Sequence, residues 1–160
     1  MAIGETIHLV NSDEVNKNTY KFYGVDCIVL TKDHKIILQK RGDNWTRFGG
    51  YLSSFGGQIE KDETPMQALI RELNEELGAE VKELDVVSLG AVTEEVTGYT
   101  ELIHVYFWHD KDGTITGCYE GEVRYFDSVE EVLNSHPKIM DDTRWALNEC
   151  LARGLLIKAS

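Results

Sequence analysis

The segment from residue 64 to residue 77, TPMQALIRELNEEL, constrains this chain more than any other. Thr64 is a candidate N-cap, Pro65 stands at the first helical position where its missing N–H costs nothing, and Gly78 supplies a left-handed stop. At about 100° per residue, Met66, Leu69, Ile70, Leu73 and Leu77 fall on roughly one third of the circumference and predict the buried stripe. Glu72, Glu75 and Glu76 fall on the adjoining arc at i, i+3 and i+4, with their carboxylates side by side and Arg71 as the one cation beside them. Acids so placed repel one another and raise each other's pKa. The arrangement makes sense around a divalent cation, since Mg²⁺ takes oxygen ligands and bridges carboxylates to phosphates. A solvated acidic helix face is the plainer reading. It leaves Arg71 and the glycines on either side unexplained.

The rest of the chain reads as strands around that helix. Residues 23–31 (YGVDCIVLT) and 35–41 (KIILQKR) predict a hairpin turning at Lys32, Asp33 and His34. Residues 51–55 predict a short strand, and Gly56-Gly57 is expected to break regular structure. Residues 81–96 hold one or two strands, 100–109 and 122–126 one each, 128–134 a short helix and 141–156 a terminal helix. The order β-β-β-α-β-β-β-α-α predicts an α/β fold: a mixed sheet with helices on its faces, as one domain over residues 1–160.

Composition narrows the partners. A net charge of −12 over 160 residues repels a duplex nucleic acid, so neither nucleic acid nor an anionic membrane surface is an expected partner. No apolar run approaches membrane-spanning length, and the first residues, MAIGETIHLV, lack the basic start of a signal peptide. Cys27, Cys118 and Cys150 are odd in number and widely spaced, which predicts reduced thiols and a cytoplasmic protein. A homodimer stays open.

The whole segment reads Gly57-x5-Glu63-x7-Arg71-Glu72-Leu73-x-Glu75-Glu76-x-Gly78-Ala79. It resembles the Nudix box, Gx5Ex7REUxEExGU with U a bulky aliphatic, at every fixed position; Ala79 is smaller than the usual last U. The resemblance implies a Nudix fold, an α/β/α sandwich in which the box forms a loop-helix-loop. It also implies hydrolysis of a nucleoside diphosphate linked to a group X, using Mg²⁺ with Mn²⁺ as the alternative. Carried over by position, Glu72, Glu75 and Glu76 are metal ligands, and Glu72 also activates the attacking water. Arg71 orients these carboxylates, Glu63 and Gly57 stand behind them, and the Gly56 carbonyl is a further ligand. The family commonly has Pro-Gly-Gly before the box, where this chain has Phe55-Gly56-Gly57.

Beyond the box, Glu122 matches the family's downstream acid better, as ligand or base, with Glu120 as the fallback metal ligand. Exposed strand-end acids are the plain alternative. Asp141 and Asp142 read first as helix caps; in some MutT-type members an Asp pair here touches the base, which makes both candidate substrate contacts. Trp45, Tyr51, Tyr99 and Phe107 are of a kind to stack on a base but are more often core or rim. The histidines show no ligand spacing and are assigned no role. Markers of the family's substrate classes are mostly absent, so the expected substrate is a small nucleotide, either a nucleoside triphosphate or a nucleotide sugar. The alternative function is a Nudix-fold nucleotide-binding module without turnover.

Overall fold

The computed structural model describes residues 7–10, 20–135 and 138–156; His136 and the first and last few residues lie outside the described residues. Strands β1 (Ile7–Val10), β2 (Phe22–Leu30), β3 (Ile36–Lys40), β4 (Leu52–Ser53) and β5 (Phe55–Gln58) precede helix α1 (Pro65–Leu77). Strands β6 (Val86–Glu94), β7 (Glu101–His109) and β8 (Glu122–Phe126) come after it, then helices α2 (Val129–Ser135) and α3 (Asp141–Ala152). The strands form one sheet in the order β1-β6-β7-β2-β3-β4, with β5 also on β2 and β8 also on β3. β2 and β7 run parallel and the other pairs antiparallel, which makes the sheet mixed.

β2 is central and buried on both faces, as its apolar run, interrupted by Asp26, requires. Val25, Cys27 and Val29 point to one core, where Leu69, Leu73 and Leu77 of α1 cover them. Ile28 and Leu30 point to the other, against Val132 of α2 and Leu147 and Cys150 of α3. The α/β/α sandwich follows from that alternation.

The feature that makes a site is a fork. β3 pairs with β2 only at Val29 and Leu30, while Gly24–Cys27 of β2 pairs with β5 instead. β4 stays on β3 at Gln39 and Lys40, so the chain crosses from one prong to the other at Ser54. A cleft opens where the prongs part.

Three expectations need correcting. Gly56 and Gly57 do not interrupt structure; they lie within β5, opposite Asp26 and Val25. They are glycine because other atoms come too close. A Cβ on Gly56 would stand 2.0 Å from the Val25 carbonyl oxygen, and one on Gly57 2.5 Å from the Glu72 carboxylate. Strand β1, paired with β6, has no counterpart among the expected strands. Residues 81–96 hold one strand, within the one or two expected, preceded by a one-turn helix at Glu83–Asp85. The last helix ends at Ala152, short of residue 156.

α1 has the expected ends. Thr64 accepts from the Gln67 amide at 3.1 Å, and the Gln67 side chain accepts from the Thr64 amide at 2.9 Å. Gly78 closes the helix at φ 65°. The reciprocal bonds form a capping box. Leu69, Leu73 and Leu77 are buried while Met66 and Ile70 are half-buried, so the apolar stripe sits one notch toward Ala68.

Candidate active site

Arg71 is the hub of the outer end of the cleft. Its guanidinium donates to both oxygens of Glu63 at 2.6 and 2.9 Å, to Glu72 at 2.8 Å, to Glu75 at 3.4 Å and to the Gln58 carbonyl at 3.0 Å. The two-pronged contact holds the Glu63 carboxyl down at about 2, and Glu63 in turn raises Arg71. Glu72 is held between opposing effects: burial raises its pKa and Arg71 lowers it. Glu75 points outward, with 57% of its side chain exposed.

Glu76 leaves the charged arc. It is 2% exposed and accepts from the Gly56 amide at 3.1 Å. Burial first, then the neighbouring Glu120 and Glu72, push its carboxyl up to about 10. Glu120 reaches it because residues 116–119 are stitched to the end of α1. The Tyr119 amide donates to the Glu76 carbonyl at 2.8 Å and the Thr116 amide to the Leu77 carbonyl at 2.9 Å. The Glu120 carboxyl stands beside that of Glu76. Glu122 faces elsewhere. It pairs with Arg124 at 2.8 Å, with 63% of its side chain exposed, and that partner lowers its pKa. The two downstream acids thus stand in the reverse of the expected order.

The inner wall draws on three distant elements. Asp26 of β2 is buried and accepts from the Ser54 hydroxyl at 2.6 Å and the Cys27 amide at 3.1 Å. Ser54 also bonds the Thr143 hydroxyl at 2.8 Å. Asp142 hydrogen-bonds Asp26, and Glu94 of β6 lies beside them. Burial foremost, with Asp142 adding to it, raises Asp26 and pushes Glu94 up to about 9. α3 has no side-chain N-cap, since Met140 holds that position. Asp141 and Asp142 sit in its first turn instead, where they meet the helix dipole. Asp142 borders the cleft and Asp141 does not.

Arg41 connects the two ends. It borders a hollow of about 160 Å³ shared with Asp26, Gly56, Glu120 and Asp142, and a second of about 130 Å³ shared with Glu94, Arg47 and Asp142. Its guanidinium lies 4.6 Å from the centre of the Trp45 ring and donates to the Arg47 carbonyl at 3.0 Å. Burial lowers its pKa, while Glu120, Asp142 and Glu76 all oppose that. Gln39 Oε1 and Ser53 Oγ, buried in the same hollow, have no partner. Sequence reasoning missed Asp26, Glu94, Arg41 and Gln39; the apolar setting of Asp26 within YGVDCIVLT was the one local signal. Of the aromatics, Phe107 is core, Tyr99 packs on His8 and Tyr51 on Phe48, while Trp45 flanks Arg41 and Glu120.

Among the described residues, no three acidic, cysteine or histidine side chains stand ready to hold an ion. Arg71 holds Glu72 and Glu75, and Glu76 is buried beside Glu120. The donors are nonetheless all oxygens, and crowded carboxyls of this kind are where a hard divalent cation fits.

A NUDIX domain family description matches residues 21–146. A CTP pyrophosphohydrolase of Escherichia coli (strain K12) is 35% identical over 115 residues, which cover 71% of this chain and 81% of that enzyme. An 8-oxo-dGTP diphosphatase of Proteus vulgaris is 36% identical over 64 residues, 38% of this chain and 56% of that protein. The crystal structure of a MutT protein from Methanosarcina mazei Go1 superposes with a TM-score of 0.68 at 19% identity, over 86% of this chain and 97% of that one, and so speaks to the fold alone.

Proposed function

The chain belongs to the Nudix family and is a Nudix hydrolase; from that premise we propose that it is a pyrophosphohydrolase of nucleoside triphosphates that works with Mg²⁺. Nudix hydrolases generally use a divalent metal. The observation that carries the reading is the position of Arg41, between the box acids and the polar inner wall. A triphosphate lying along the cleft has its charge met by Arg41, its hydrolysed end at Glu72, Glu76 and Glu120, and its base toward Asp26 and Asp142. The names of two relatives, a CTP pyrophosphohydrolase and an 8-oxo-dGTP diphosphatase, favour the triphosphate over the nucleotide sugar.

Glu72, Glu75, Glu76, Glu120 and the Gly56 carbonyl would hold the ion. An ion held by these residues would neutralise phosphate charge and make the attacking water more acidic. Arg71 fixes the rotamers of Glu72 and Glu63 and opposes the rise that burial gives the Glu72 pKa. Glu72 then accepts the proton of the attacking water. Gln39 and Ser53 offer unsatisfied hydrogen-bonding atoms to the base, and leaving them unpaired against a mismatched base is a source of discrimination. Asp142 joins them; Asp141 supports it from the first turn of α3. The protein works as one domain in the cytoplasm, on a small nucleotide rather than on nucleic acid or membrane. Among the described residues, no helix is long and apolar enough to cross a membrane.

The test is a substrate panel of nucleoside triphosphates and nucleotide sugars with Mg²⁺, with products resolved by chromatography. A nucleoside monophosphate plus pyrophosphate is expected from at least one triphosphate. Turnover confined to nucleotide sugars overturns the substrate reading. No turnover of any member, with tight nucleotide binding retained, supports the binding-module alternative.

A further inference from the structure

At the other end of β2 from Asp26 lies a second cavity, of about 530 Å³, with no lining residue in common with the cleft. Leu30, Ile36, Val87 and Phe107 form its apolar floor, and His34 and His109 stand together at its edge. His34 sits at the tip of the β2–β3 hairpin with φ 63°, and His109 ends β7. The chain holds them in place on both sides: the His34 amide donates to the Thr31 carbonyl at 2.9 Å and the Asp110 amide to the Leu30 carbonyl at 2.8 Å.

Three observations converge on the pair. The His109 Nε2 is buried and has no hydrogen-bond partner, and the Thr31 backbone lies beside the ring. A buried ring nitrogen left without a partner has a lone pair to offer, as in histidines that ligate metals. The two ring centroids are 4.9 Å apart. A Zn–N bond of about 2.0–2.1 Å puts each ring centre about 3.2 Å from the ion, so two imidazoles at a tetrahedral angle stand about 5.2 Å apart. The observed spacing corresponds to an angle of about 100° on the same construction. Burial, with His34 adding to it, lowers the pKa of His109 and keeps it in the neutral form that binds metal.

We propose that His34 and His109 form a second, independent metal site, which takes a divalent ion of the zinc class rather than Mg²⁺. Imidazole nitrogen selects zinc, copper and nickel, whereas Mg²⁺ prefers oxygen. Among the described residues no third histidine, cysteine or carboxylate completes the shell, so waters from the cavity fill the remaining positions and leave the site open. Of the other charged groups on the cavity wall, Asp127 is taken by Lys35, and Asp85 and Lys111 lie on the rim with opposite signs.

The test is calorimetric titration of Zn²⁺ into the tag-free chain in excess Mg²⁺, which keeps the box acids occupied. One zinc equivalent is expected, with affinity weakened at least tenfold by His109→Gln and by His34→Gln, and unchanged by His8→Gln. His34 is exposed, so its substitution leaves the core intact even if His109→Gln disturbs folding. In the wild type, added zinc should shift the imidazole proton resonances of these two histidines. Zinc binding that survives both substitutions, or no zinc binding in excess Mg²⁺, overturns the proposal. Neither outcome depends on catalytic turnover.

Discussion

The cleft has acids at both ends, and the fold treats them in opposite ways. At the outer end Glu63 and Glu75 meet Arg71 at the surface, and Glu63 is held charged at about 2. At the inner end Asp26, Glu94 and Asp142 are packed together, with Glu94 pushed up to about 9 and Asp26 raised by burial. Paired acids cost the fold little and keep their ligands oriented. Crowded buried acids oppose ionisation and hold protons until a ligand or cation relieves them. Glu76 stands between the regimes. Its sequence places it in the box, while its burial beside Glu120 gives it the chemistry of the inner wall.

The sharpest break of that comparison is Glu76→Gln. The substitution keeps the shape and the proton-bearing character that Glu76 has without metal, but removes an anionic ligand. Turnover should fall by about 10² or more, as for loss of a strong electrostatic contact. Metal-free thermal stability should hold or rise. Near-normal kcat would remove Glu76 from the metal ligands.

The downstream acids come next. Glu120→Gln should lower kcat by about tenfold or more, whereas Glu122→Gln should leave it within about twofold, because Glu122 is exposed and paired with Arg124. Single-variant kinetics under saturating Mg²⁺ decide between them. The reverse ranking would mean that β8 turns toward the site when substrate binds.

Glu94 tests the inner wall through pH. Its folded pKa, about 9, lies above the ordinary value of 4.5, so the folded state holds a proton that the unfolded state has lost. Its contribution to stability is therefore full below the ordinary value and declines as pH rises toward the folded one. Glu94→Gln abolishes that slope. The variant should match the wild type near the acid end and gain on it by up to about 1.4 kcal/mol for each pH unit between the two values. Melting temperatures across that range check this, and parallel curves would show that Glu94 is ionised at no cost.

What was legible in the chain is what is local in it. Thr64, Pro65 and Gly78 bound α1 because capping is decided within one turn, and the Arg71 cluster follows from i, i+4 spacing and a single strand crossing at Gln58. The inner wall was invisible because Asp26, Ser54, Glu94 and Asp142 stand on separate elements, joined only by sheet pairing and the fork at Ser54. Gly56-Gly57 misled for a related reason. The pair reads as a breaker from the sequence, but its purpose is close approach to Val25 and Glu72, partners far along the chain. Glu122 outranked Glu120 on position alone, and the bonds of residues 116–119 to the end of α1 reversed that order. His34 and His109 lack ligand spacing for the same cause: a parallel pairing of β2 with β7, extended by one turn, brings them together.

The two principal helices give the smallest and most specific test. α1 begins on a complete capping box and α3 begins on Met140 with no side-chain cap bond. Thr64→Ala removes the acceptor for the Gln67 amide and should cost about 1 kcal/mol. For a chain of this size that is a fall in Tm of about 2–4 °C. Activity should change less, within about twofold, because Glu63 is held by Arg71 through two hydrogen bonds that do not involve the cap. Measuring Tm and kcat on the same preparation separates the two. A loss of kcat larger than the loss of stability explains would show that the cap positions the Arg71 cluster as well as starting the helix, and that the outer end of the cleft is less self-sufficient than its hydrogen bonds suggest.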